Sequence, residues 1–128
     1  MKLNEKQIAN VMALAAAKRY DHFVKVAADQ RQVWGLYSDG WALAKTDAGE
    51  EVFPLWPASE YAERCAGREW SGYKPREIDL DTLFEVLIPK LRESRTLVGV
   101  FPTPQEKSVT PSLVQLEDDL KQELAKIE

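Results

Sequence analysis

Asp39-Gly40 lies between two segments whose residues alternate in character, Gln32–Ser38 (QVWGLYS) and Trp41–Thr46 (WALAKT). An Asp-Gly pair in that setting is the strongest short-range hairpin signal a sequence carries, because its two residues tolerate the backbone of a tight turn. Taken as a two-residue loop, it sets Ser38 opposite Trp41, Leu36 opposite Leu43 and Trp34 opposite Lys45. Opposed residues share a face. Trp34, Leu36, Trp41 and Leu43 are therefore expected on one side, and Val33, Gly35, Tyr37, Ala42 and Ala44 on the other.

On both sides of this hairpin the apolar period is helical. Asn4 with Gln7 reads as a capping box, and Ile8, Val11, Met12 and Ala15 then recur at helical spacing. Tyr20, Phe23, Val26 and Ala27 continue the stripe with a phase slip, which predicts a bend near Lys18–Tyr20 or two consecutive helices. After the hairpin, Glu51–Trp56 reads as a third strand, and Pro54 makes it an edge or takes it out of the ladder. Pro57 suits the first turn of a short helix carrying Glu60 near its start, with Tyr61, Ala62, Cys65 and Ala66 as its buried stripe. Arg76–Leu80 reads as a short strand. Leu80, Leu83, Phe84, Leu87 and Leu91 define an amphipathic helix that Pro89 should kink. Thr96–Phe101 (TLVGVF) is the best central strand, with Lys107–Thr110 as its return. Leu113, Leu116, Leu120, Leu124 and Ile127 run down one face of a last helix opened by Pro111 and Ser112.

This order of elements is not the alternation of a doubly wound sheet. It predicts an α+β fold: an antiparallel or mixed sheet with a central hairpin meander, packed against about four or five helices in one domain over residues 1–128. Lys2 and Lys6 ahead of the uncharged Gln7–Ala17 stretch imitate a secretory leader. Glu5, Gln7 and Asn10 spoil that pattern, and the stretch is read as part of the folded protein.

The chemistry such a chain can carry is narrow. A net charge of −4 with no run of bases argues against nucleic acid, and no apolar stretch is long enough to span a membrane. The single cysteine, Cys65, excludes an internal disulfide and points to a reducing, cytoplasmic setting. With His22 as the only histidine, neither a histidine-based nor a cysteine-based metal centre can form within the chain. The glycines never cluster into a phosphate-binding loop, and no serine sits in a nucleophile elbow. No cofactor and no catalytic residue is expected.

The aromatic residues stand out instead. Four Trp and four Tyr in 128 residues exceed what a small core needs, since each indole N–H and phenol O–H seeks a partner. Trp56, Tyr61, Trp70 and Tyr73 crowd together in sequence. Either they fasten an irregular stretch onto the sheet, or some of them line a groove. On the second reading Trp56, Glu60, Tyr61, Arg68, Trp70, Tyr73 and Lys74 form a ligand- or partner-binding surface. The aromatics then supply an apolar wall, the amides after Pro57 receive an anionic group, and Arg68 and Lys74 provide rim charge.

The blocks Arg19-Tyr20, Val33-Trp34-Gly35-Leu36, Gly40-Trp41-Ala42, Pro54-Leu55-Trp56-Pro57, Tyr61-Ala62, Cys65-Ala66, Trp70, Gly72 and Val100-Phe101-Pro102-Thr103-Pro104 resemble the bacterial family catalogued as domain of unknown function 2750. The likeness runs from Arg19 to the last helix. It implies a small, single-domain cytoplasmic protein and carries no catalytic residue onto this chain. Two functions are open at this point. One is a non-enzymatic interaction or accessory protein using an aromatic-rich surface, its partner a protein, a peptide, a small molecule or a second copy of the chain. The other is a small hydrolase acting through carboxylate, Tyr or Lys groups.

Overall fold

A computed structural model of the chain describes residues 3–67 and 70–127. The Asn4 side chain accepts the Gln7 N–H at 2.8 Å, and the Gln7 side chain takes the Asn4 N–H at 3.0 Å, so both ends of the capping box are made. They open α1 (Glu5–Met12), which buries Ile8 and ends at Ala13. After a short break comes α2 (Ala16–Gln30). The phase slip is thus resolved by two helices, with the break several residues earlier than Lys18–Tyr20. In α2 the buried stripe is Arg19, Phe23, Val24, Ala27 and Ala28, while Tyr20 and Val26 are only half-buried.

Among the described residues five strands follow: β1 (Gln32–Tyr37), β2 (Ala44–Lys45), β3 (Glu51–Leu55), β4 (Lys74–Asp79) and β5 (Leu97–Val100). β1 pairs with β4 antiparallel, β2 with β3 antiparallel, and β3 with β5 parallel. The two small sheets meet where Trp34 and Trp56 exchange both backbone hydrogen bonds, at 2.9 and 2.8 Å. A single bridge, Val100 to Val109, is what remains of the expected return strand.

The turn at Asp39-Gly40 is present, but its register is one residue off the expected one. Tyr37 stands opposite Trp41, and Ala42 donates to the Leu36 carbonyl at 2.8 Å. The loop therefore holds Ser38, Asp39 and Gly40, with Asp39 in the left-handed region at φ 56°. A one-residue slip moves every side chain of a strand to the other face. Trp41 accordingly joins Gly35 and Tyr37, and Ala42 joins Leu36. Packing explains the choice. The Trp41 ring lies over Gly35, where a Cβ would approach it to 3.0 Å, and meets Tyr37 edge-on at 5.1 Å and Phe53 at 5.5 Å. Arg76, on the neighbouring strand, covers the Tyr37 ring at 4.4 Å. Beyond Trp41 the chain leaves β1, and β2 pairs with β3 instead.

β3 is an interior strand, contrary to the expectation from Pro54. The proline is tolerated because β2 pairing stops at Val52, leaving only β5 alongside Pro54. Pro57 stands just before the Ala58 cap of α3 (Ser59–Cys65), outside its first turn. The break expected at Pro89 takes another form. α4 (Leu80–Thr82) widens into a π turn (Leu83–Leu87) before α5 (Ile88–Ser94). Proline lacks an N–H and crowds the carbonyl four residues back, and the wider turn meets both constraints, with Ile88 bonding to the Leu83 carbonyl. α6 (Leu113–Ile127) buries Leu116 and Leu120 against the rest, leaving Ile127 exposed. Among the described residues the buried apolar side chains form one core, drawn from all six α-helices, the π turn and four of the five strands. No helix among the described residues is long and apolar enough to cross a membrane.

Candidate functional site

Several of the blocks that carry the family likeness converge at one place. Trp34 pairs with Trp56; Phe101 donates to the Leu55 carbonyl at 2.8 Å; and the Trp56 indole donates to the Pro102 carbonyl at 2.9 Å. The Cys65 thiol points at the same carbonyl, 3.4 Å away. Burial pushes its pKa up to about 11, against the smaller opposing pull of a hydrogen bond from Trp56. At that value the group stays a thiol and is a poor nucleophile.

Phe101 holds a positive φ of 54°, a costly conformation for a bulky residue. Its surroundings hold it there. The ring is fully buried and packs on Tyr61 at 4.9 Å, and its carbonyl accepts from Arg19 Nε at 3.2 Å. Arg19, itself fully buried, also reaches the Leu14 carbonyl at 2.8 Å and Glu106 at 2.9 Å. This guanidinium ties the start of α2 to the loop after β5.

Next to this closed block lies an open cleft of about 600 Å³, within the range of small-molecule sites. Its walls follow from helix and strand periodicity. His22, Val26 and Gln30 line it from α2 at spacings of four residues. Gln7, Asn10 and Val11 face them from α1, Gln32 and Trp34 from one face of β1, and Pro57–Tyr61 close it at the start of α3. Leu3 N–H donates to Glu60 at 3.3 Å and Arg64 forms an ion pair with Glu5, so α1 is held to α3.

The chemistry of the cleft is uneven. Trp34, Val11, Val26 and Pro57 make it apolar, while four carboxamides line it with groups that both donate and accept. Among the described residues, Asn10 and Gln32 form no side-chain hydrogen bond within the chain. His22 is half-buried and touches Tyr61 edge-on at 6.2 Å and Phe101 at 6.4 Å. Burial lowers its pKa, which favours the neutral ring. Among the described residues, Glu60 is the one acid lining the space and no Lys or Arg lines it. Ser59 donates its proton to Glu60 at 3.3 Å, so it does not form a dyad with His22. Among the described residues no group of three or more His, Cys, Asp or Glu could hold a metal ion.

The sequence-derived surface divides across this geometry. Glu60 and Tyr61 line the cleft; Trp56, Trp70, Tyr73 and Lys74 do not. Trp56 is fully buried. Trp70, half-buried, meets Trp56 edge-on at 6.1 Å, Tyr73 is half-buried, and Lys74 lies exposed on β4 opposite Tyr37. Arg68 falls outside the described residues. Sequence reading missed the other wall, because His22, Gln7 and Asn10 each look ordinary alone. The available signal was three carboxamides and an imidazole placed at helical spacing on the inner faces of α1 and α2.

The model of the family described as Protein of unknown function (DUF2750) matches residues 20–120. No curated protein matches the chain.

Proposed function

The chain belongs to the DUF2750 family, and we propose that this member is a non-enzymatic accessory protein that binds a small molecule between α1, α2, β1 and α3. One observation carries the reading: a drug-sized cleft with a tryptophan wall and two carboxamides, Asn10 and Gln32, without a hydrogen-bond partner among the described residues. Cys65, held as a thiol, is not among the residues lining the cleft, and Ser59 is turned toward Glu60, so neither offers the cleft an activated nucleophile. We place that action in the cytoplasm, in keeping with a chain whose single cysteine leaves it no internal disulfide.

The test is a ligand-observed NMR fragment screen on the native chain and on Ala58→Trp, which fills the cleft from its rim. Fragments that bind the native protein and lose binding to A58W support the proposal. No binding fragments, or fragments indifferent to A58W, overturn it.

A further inference from the structure

We propose that the cleft selects organic cations: small molecules with a primary amine on an apolar, preferably aromatic, body. This rests on the cleft being a binding site and adds the class of ligand.

The argument is one of charge complementarity. Among the described residues, Glu60 is the only acid lining the cleft and no basic side chain lines it. Its carboxylate receives two long hydrogen bonds, from Leu3 N–H and Ser59 Oγ, both 3.3 Å. A carboxylate has about four acceptor positions, so it keeps room for a further donor. An ammonium group has three N–H donors and no acceptor, and the cleft answers with acceptors of three kinds: the carboxylate, carboxamide oxygens and the unprotonated nitrogen of His22. The Trp34 face adds the electrostatic attraction that an aromatic ring exerts on a cation. A carboxylate or phosphate ligand would find no Lys or Arg among the described lining residues and would confront Glu60. A neutral ligand would gain the apolar wall but nothing from the charge.

Three probes of matched shape separate these cases: phenethylamine, 2-phenylethanol and phenylacetate, each titrated into ¹⁵N-labelled protein at about pH 7.5. Phenethylamine is expected to shift the Val26, Trp34 and Glu60 amides and to bind about tenfold more tightly than the alcohol, a difference of about 1.4 kcal/mol. Glu60→Gln keeps the bond from Leu3 N–H, turns the other round so that the amide donates to Ser59 Oγ, and removes the charge; it should bring the amine to within about twofold of the alcohol. Trp34→Leu should likewise weaken the amine more than the alcohol, and serves if E60Q does not fold. If amine and alcohol bind the native cleft equally, if phenylacetate binds best, or if E60Q retains the preference, the cation assignment falls while the cleft stands as a binding site. If none of the probes shifts a cleft residue, both fall.

Discussion

Trp34 and Trp56 are joined backbone to backbone by two hydrogen bonds, and directly opposed residues emerge on the same face of a sheet. Their surroundings nevertheless differ. Trp56 is covered by the loop after β5, which accepts its indole N–H through Pro102, and by the edge of Trp70. Trp34 faces a cleft that α1 roofs only in part. Pairing thus places both rings, but the β5–α6 loop closes over one alone. A cluster of aromatics in sequence need not be a site, and here the crowded stretch 54–73 supplies mainly the closed half of the pair.

Truncating the two rings is the most direct way to break this contrast. Trp56→Ala removes a fully buried ring and strands the Pro102 carbonyl, so a loss of about 3–5 kcal/mol is expected in urea unfolding. Trp34→Ala should cost less, about 2 kcal/mol, since its ring is only partly buried against the core, while removing the apolar wall of the cleft. Equal losses would show that the Trp34 face is packed as tightly as its neighbour.

The clasp that closes the Trp56 side is expected to depend on Arg19 rather than on its ion pair. Arg19→Met keeps the aliphatic stem but leaves the Phe101 and Leu14 carbonyls without their charged donor, at a cost of about 3 kcal/mol. Glu106 is 55% exposed, and Glu106→Gln should cost under about 1 kcal/mol, as surface ion pairs usually do. Chemical denaturation of the two variants side by side decides it. A large loss in E106Q and a small one in R19M would reverse the assignment.

Gly35 sharpens the contrast from the other side of β1, where Trp41 lies against the strand. Gly35→Ala places a Cβ at 3.0 Å from that ring and is expected to cost about 1–3 kcal/mol through overpacking, with near-UV circular dichroism reporting the displaced indole. A neutral result would mean that Trp41 moves freely.

This contact also explains what was legible in the sequence. Local signals read through directly: the Asn4–Gln7 capping box, the Leu116–Leu120 stripe of α6, and the β-prone run of β5. What failed was set by partners distant in sequence. Asp-Gly chemistry places a turn, yet the choice between a two- and a three-residue loop fell to Trp41 packing on Phe53, 13 residues beyond Gly40. Pro54 argues for an edge only if β2 runs its full length. The cleft was harder still, because its lining comes from four elements and no single residue of it is unusual. Only Glu60 and Tyr61 were legible as candidates.

The smallest effect concerns His22, which belongs to both halves: its ring touches Tyr61 and Phe101, and it lines the cleft. Burial lowers its folded-state pKa below the ordinary value of about 6.5. Between that lowered value and about 6.5 the unfolded chain binds more protons than the folded one, so stability rises with pH across the window. The contribution is fully present above about pH 7 and is lost as the pH falls toward the folded-state value. Glu5, Asp47 and Asp79, whose pKa values hydrogen bonds to Arg64, Lys107 and Thr82 hold down, act in a separate window below about pH 4. Urea midpoints at about pH 7.5 and 5.5 should therefore differ more in the native protein than in His22→Gln, which keeps a polar group but cannot titrate. If the two differences are the same, His22 is as well hydrated as in open solution. The boundary between the closed and open halves would then lie at Tyr61 and Phe101, with His22 belonging wholly to the cleft.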